Sequence, residues 1–321
     1  MDFITSHINF VLVAGGLLGL FLGGEALIRG AVALAEILKV PKLVIGLTII
    51  GFGTSMPELL VALQSVHHDA PEVAVGNVVG SNIANILLIL GAGALLSPIT
   101  TTARGIRRDA LIMLMASCGL VWLAWQGVIS QRIGLILVGV LMAYLLAVYV
   151  MESRKSEGIA PQKVRMSPVV AVLWLIGGLA ALITGADCLV SGATAVAREF
   201  GVSDAVIGLT LVAIGTSLPE LTVTLLSSIR RQNEVALGNV LGSNIFNILG
   251  ILGITAAIKP LPVAPHFLQI DLPLMVGAAL LATILIFRGQ NIGRLSGLLC
   301  LLTYAAYTAW LMKGPEWLAL I

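Results

Sequence analysis

Long apolar runs occupy almost the whole chain, and the polar residues that punctuate them gather at short joints carrying Pro41, Pro71, Pro98, Pro161, Pro168 or Pro260. Runs near or above about 18 residues have the length of a membrane-crossing helix, and their continuity argues against the alternating strands of an outer-membrane barrel. The pattern predicts ten spans, at about 8–34, 42–66, 72–97, 109–127, 132–151, 168–197, 204–229, 234–258, 270–287 and 292–313. Short joints imply a compact bundle of antiparallel neighbours. The N-terminus lacks a basic segment and a cleavage site, so the first run is expected to remain as a helix.

Two regions break the apolar rule from inside the spans. Residues 51–65 read GFGTSMPELLVALQS and 76–91 read GNVVGSNIANILLILG; residues 213–228 read AIGTSLPELTVTLLSS and 238–253 read GNVLGSNIFNILGILG. Gly53 pairs with Gly215, Glu58 with Glu220 and Ser81 with Ser243, always 162 positions apart, and from Gly76 to Leu90 the copies agree at 12 of 15 positions. The chain is an internal duplication. Because five predicted spans fill one period, and five is odd, the second copy is expected to insert upside down relative to the first. The expected architecture is therefore an all-α polytopic membrane protein of two inverted five-helix repeats, 1–152 and 168–321, joined by a linker at 153–167. The polar motifs would sit on helices broken near the bilayer midplane.

Composition sharpens this picture. The 321 residues are 58% hydrophobic and 11% charged, against about 25% charged in soluble domains, and mean hydropathy is +1.05. No stretch is polar enough for a soluble domain. Cys118, Cys188 and Cys300 lie apart in apolar segments without metal-ligand spacing. The net charge of +2 carries no message, but its distribution does. With the N-terminus outside, 14 of the 18 Lys and Arg residues fall in inner joints. The outer joints keep Arg132, Arg198, Lys259 and Lys313. This bias predicts both termini outside and the 153–167 linker in the cytoplasm.

The motif is a set of hard oxygen donors. Thr54 and Ser55 stand four and three residues before Glu58, so the three oxygens share a helix face. Pro57 has no N–H for the carbonyl of Gly53, and with Gly51 and Gly53 it should kink or interrupt the helix and free carbonyls. Thr216, Ser217, Pro219 and Glu220 repeat the arrangement. Asn77, Ser81 and Asn85 fall at steps of four, as do Asn239, Ser243 and Asn247. Gly76 and Gly80, with Gly238 and Gly242, form small faces that admit close helix approach. A charged side chain in hydrocarbon costs roughly 2.5–3.5 kcal/mol on insertion scales unless it is neutralised, and no Lys or Arg lies near either glutamate within its motif helix. Mixed carboxylate, amide, hydroxyl and carbonyl oxygens suit Ca²⁺ better than Mg²⁺. No His or Cys joins them to suit Zn²⁺ or Cu⁺. Na⁺ or H⁺ would compete for the same negative charge.

GTSMPE with GNVVGSNIAN, and GTSLPE with GNVLGSNIFN, resemble the two alpha-repeats of sodium/calcium exchangers in the calcium/cation antiporter superfamily. The resemblance covers the whole chain and is nearest to compact prokaryotic exchangers. It implies a secondary antiporter that exchanges Ca²⁺ for Na⁺ by alternating access in the cell's inner membrane. The first and sixth spans resemble the pair that slides across the remaining bundle. It also implies a ligand set. Glu58 and Glu220 would be the central carboxylates. Thr54, Ser55 and Ser243 would serve one half-site, and Thr216, Ser217 and Ser81 the other. The carbonyls of Gly51 and Ala213 would take Na⁺, and Asn85 would be a central amide. Its counterpart Asn247 departs from the family pattern, in which several exchangers carry Asp. Two carboxylates instead of three leave open coupling to H⁺ or K⁺, or another divalent cation. Ca²⁺ and Na⁺ are then substrates, with no cofactor, nucleic acid or obligate protein partner expected.

Other polar residues have plainer readings. Glu25 has Arg29 four residues on, the spacing of a helix ion pair. Asp109 and Asp271 align across the repeat at span starts, where an acid suits a helix N-terminus. Trp122, Trp125, Trp174, Trp310 and Trp317 suit interface anchoring. An intramembrane hydrolase would need a base beside Ser55 or Ser217, and no His or Lys is near either in sequence, so the chain is not read as an enzyme. A channel would need a pore, and a site closed within one chain offers none.

Overall fold

The computed structural model describes residues 2–102, 105–155, 166–199 and 215–313, and these are almost entirely helical. Helix α1 (Asp2–Leu38) leads to a bent pair, α2 (Lys42–Thr54) and α3 (Met56–His67). These are followed by α4 (Pro71–Leu96), α5 (Ile106–Trp125) and α6 (Gln131–Lys155). The second part holds α7 (Pro168–Glu199), α8 (Leu218–Ile229) and α9 (Asn233–Ile258), then α10 (Asp271–Phe287) and α11 (Arg294–Lys313). Among the described residues seven helices are long and apolar enough to cross a membrane, or eight when the bent pair counts as one span. The opening of the predicted 204–229 span and most of the 153–167 linker lie outside the described residues.

Burial divides the helices into centre and periphery. Over their most apolar stretches α4 and α9 are 78% and 83% buried, whereas α1 and α7 are each 33% buried. The motif-bearing helices therefore make the core, and the predicted sliding pair lies outside it. Helices α1 and α7 run together at backbone contact. A methyl on Gly178 would come 2.4 Å from the Leu27 nitrogen, and one on Gly23 would come 2.7 Å from that of Leu182. Packing between helices in lipid relies on such small residues because hydrophobicity gives no preference for protein over acyl chains.

The two motif copies fold alike in detail. Ser55 and Ser217 both leave helical geometry, at φ −83°, ψ 9° and φ −89°, ψ 6°, and both are followed by a helix with Pro in its first turn. Asp69 and Arg231, 162 positions apart, both turn the chain with positive φ, 58° and 57°. The next residue donates to the carbonyl five back in each, Ala70 to Ser65 and Gln232 to Ser227, both at 2.8 Å. Each of α4 and α9 carries a π-helical insert, Asn85–Leu90 and Phe246–Ile251. A third insert, Gly46–Ile50, lies in α2 just before the break. Periodicity does not separate π from α turns, so these were not legible beforehand; such inserts are frequent at functional sites.

The candidate cation site

Local sequence explains the break that positions Glu58. Pro57 cannot donate to the Gly53 carbonyl, and α2 and α3 meet at a 41° bend around Ser55. As expected, the helix is interrupted, but the break is brief: the Ser55 amide still reaches the Gly51 carbonyl at 3.2 Å. Close packing from the second copy holds this segment. A methyl on Gly242 would lie 2.3 Å from the Leu47 carbonyl oxygen, so α9 touches the π-helical part of α2 through backbone. The equivalent contact of Gly76 and Gly80 would involve a segment outside the described residues.

The serine of each copy serves the glutamate of the other. Ser55 Oγ donates to Glu220 Oε1 at 2.9 Å, and Ser217 Oγ donates to Glu58 Oε1 at 3.1 Å. Both glutamates are 1% exposed. Thr216 neighbours Glu58, while Thr54 and Ser243 neighbour Glu220. The two acids thus sit on either side of one junction between the copies. Neither has an ion-pair partner among the described residues.

The amides frame this junction. Asn77 and Asn239 donate to the backbone carbonyls of Glu58 and Glu220, each at 3.1 Å, so they brace the broken helices rather than face the site. Helix-to-helix bonding is the role their positions suggest. Thr54 Oγ1 lies 3.1 Å from both the Ile50 carbonyl and Asn239 Oδ1. Ser243 Oγ donates to the Gly51 carbonyl at 3.3 Å, which brings that carbonyl into the same polar cluster. Asn85 and Asn247 are 1% exposed and donate across the duplication to Asn244 and Asn82. Ser81 is buried at 7% exposure. Ala213 lies outside the described residues.

What remains unpaired defines the chemistry. Glu58 Oε2, Glu220 Oε2, Asn85 Oδ1 and Asn247 Oδ1 are buried without a hydrogen-bond partner among the described residues. All four are acceptors, and each type comes once from each copy. A buried acceptor left alone costs roughly 1–3 kcal/mol, more when charged. Acceptor oxygens of these kinds, carboxylate and amide, are the donors that a hard cation takes.

The chain matches the family model described as "Sodium/calcium exchanger protein" over residues 8–150 and 170–313. It is 36% identical over 308 residues to the putative antiporter CaxA of Alkalimonas amylolytica, covering 93% of this chain and 96% of that protein. To the inner membrane protein YrbG of Escherichia coli K12 it is 33% identical, covering 87% and 90%. Among solved structures it resembles the sodium-calcium exchanger NCX_Mj soaked with zero Na⁺ and Ca²⁺. That match has a TM-score of 0.84 and 32% identity, over 95% of this chain and 99% of the other. Further structures of NCX_Mj that it matches were soaked with Na⁺ or with Na⁺ and Sr²⁺.

Proposed function

The chain belongs to the sodium/calcium exchanger family, and on that premise we propose that it exchanges Ca²⁺ for Na⁺ as a secondary antiporter, by alternating access at one site built from both motif copies. It is an integral membrane transporter. The reading extends to ten spans in two inverted repeats, 1–152 and 168–321, with the 153–167 linker and the inner joints in the cytoplasm and both termini outside. Likeness to an inner membrane protein supports the inner membrane as its place.

The observation that carries the proposal is the reciprocal pairing of Ser55 with Glu220 and Ser217 with Glu58. It leaves each carboxylate one buried oxygen without a hydrogen-bond partner among the described residues. Glu58 and Glu220 are proposed as central ligands, with Asn85, Asn247, Ser55, Ser217, Thr54, Thr216, Ser81, Ser243 and the carbonyls of Gly51 and Ala213 completing overlapping Ca²⁺ and Na⁺ positions. Cations compete because they need the same two negative charges. An empty site leaves both charges buried and uncompensated, which disfavours occlusion and suppresses leak. Helices α1 and α7, joined along their backbones and little buried otherwise, are proposed to slide as one body over the remaining bundle.

A second reading, Ca²⁺/H⁺ exchange, is favoured by Asn247: with two carboxylates, two protons neutralise the site as fully as one Ca²⁺. Uptake of ⁴⁵Ca²⁺ into proteoliposomes under outward Na⁺, K⁺ or H⁺ gradients separates the two. The Na⁺ gradient is expected to drive uptake, and E58Q or E220Q to abolish it. Uptake driven by H⁺ but not Na⁺ would replace the first reading by the second, and wild-type flux in either Gln variant would remove the site assignment.

A further inference from the structure

The two site amides are each the end of a relay that starts on a thioether. Asn244 Nδ2 donates to Met113 Sδ at 3.4 Å, and Asn85 Nδ2 donates to Asn244 Oδ1 at 3.2 Å, leaving Asn85 Oδ1 without a partner among the described residues. On the other side Asn82 Nδ2 donates to Met275 Sδ at 3.9 Å, and Asn247 Nδ2 donates to Asn82 Oδ1 at 3.4 Å, leaving Asn247 Oδ1 likewise without a partner among those residues. Every member has its counterpart 162 positions away: Met113 with Met275, Asn82 with Asn244, Asn85 with Asn247. All six side chains are at most 1% exposed. Each relay also crosses the duplication. The methionine and the middle asparagine of one relay come from opposite copies, as do the middle asparagine and the terminal one.

An amide can face a site with its oxygen or with its NH₂, and the two ends differ little in size. Only the oxygen can ligate a cation. What decides the orientation here is a chain of donors and acceptors read from its far end. A thioether can accept and cannot donate. The middle asparagine must therefore turn its NH₂ to sulfur and its oxygen to the terminal asparagine. That oxygen in turn claims the terminal NH₂, and the terminal oxygen is left for the site. Reversing either relay would set an amide oxygen against sulfur and aim NH₂ protons at the place a cation needs.

We propose that Met113 with Asn244, and Met275 with Asn82, are positioning residues that fix the polarity of Asn85 and Asn247 so that both present oxygen to the transported cation. The inference rests on the assignment of Asn85 and Asn247 as ligands. It also gives Asn247 a physical meaning: where a carboxylate would offer oxygen in either orientation, this chain has an amide and a device that orients it.

The test uses purified full-length protein and Ca²⁺ alone as probe, with affinity measured by calorimetric titration and folding by the melting temperature without Ca²⁺. Leu replaces Met at nearly constant volume but accepts no hydrogen bond. M275L and M113L are each expected to weaken Ca²⁺ binding roughly twofold, the scale of a weak acceptor, and N82L or N244L roughly fivefold, the scale of one net hydrogen bond. The discriminating step is rescue. In an N247D background, where both terminal atoms are oxygens, M275L is expected to cost nothing, while M113L keeps its full effect; N85D is expected to rescue M113L and not M275L. Equal losses in both backgrounds would mark the methionines as packing residues and overturn the proposal, as would unchanged affinity in M275L, M113L, N82L and N244L. If N247D and N85D themselves leave Ca²⁺ affinity untouched, the ligand assignment fails, and the relay's purpose falls with it.

Discussion

At the residue scale each buried carboxylate meets a serine of the opposite copy, Glu220 with Ser55 and Glu58 with Ser217. Glu58 and Glu220, with hydroxyls three and four residues earlier, stood out because acids in apolar runs are expensive and because they recur at the same spacing. Which oxygen meets which was not legible. That Ser55 serves Glu220 and Ser217 serves Glu58 depends on how two distant segments meet, and no local pattern encodes it. The methionine relays were hidden for another reason: in an apolar helix a methionine reads as filling for the core. The crossed serines give a test of their own. Because each serine holds the opposite copy's carboxylate, S55A and S217A should weaken Ca²⁺ uptake to a similar degree, by about tenfold or more in apparent KM if a hydrogen bond to a charged group is worth roughly 1.5–3 kcal/mol. A loss confined to one of the two serines would argue that the site is carried by a single copy.

At the scale of elements, eight of the ten predicted spans have a described counterpart long and apolar enough to cross a membrane, the exceptions being 204–229 and 292–313, and boundaries are off by a few residues; α1, predicted over 8–34, covers Asp2–Leu38. The π inserts and the contacts between helices were not available from periodicity. Asp109 and Asp271 do lie in the first turns of α5 and α10, as an acid suited to a helix N-terminus should. Each additionally accepts a tyrosine hydroxyl from the next long helix, Tyr144 at 2.9 Å and Tyr307 at 2.7 Å. Separations of 35 and 36 residues leave no periodic trace. Glycine spacing hinted at close approach, and the structure grades it. Gly242 meets the Leu47 backbone, which cannot step aside as a side-chain tip can, whereas a methyl on the exposed Gly139 of α6 would meet nothing within 4 Å among the described residues. G242A should therefore lower the melting temperature and transport together, at the upper end of the roughly 1–3 kcal/mol typical of overpacking, and G139A should leave both near wild type. Thermal melts of the two variants side by side decide it; a tolerated G242A would mean that α2 and α9 are free to separate.

At the scale of the whole molecule, the peripheral pair and the core are tied by charge at one end. Glu25 of α1 pairs with Arg29 on its own helix, as the spacing suggested, and also with Arg230, at the end of α8, which the spacing could not reveal. Arg29 further lies over the Trp174 ring of α7, 5.7 Å from its centroid. In the orientation proposed above, this tie would lie on the cytoplasmic side and the Asp69–Lys259 ion pair on the outer one. There Lys259, as hydrogen-bond donor and as a charge, holds the Asp69 carboxyl below its usual range. Asp69 and Arg231 offer a direct measure of inversion. They occupy the same turn in the two copies, with the same backbone geometry. In a parallel duplication the two turns would face the same compartment; in an inverted one they face opposite compartments. D69C and R231C, each introduced after Cys118, Cys188 and Cys300 are replaced, should react with a membrane-impermeant maleimide from opposite sides of intact cells and inverted vesicles. Position 69 should label from outside and position 231 from the cytoplasm. Labelling of both from one side would dismantle the inverted arrangement, and with it the reason for two equivalent carboxylates to meet at a single site open alternately to either face.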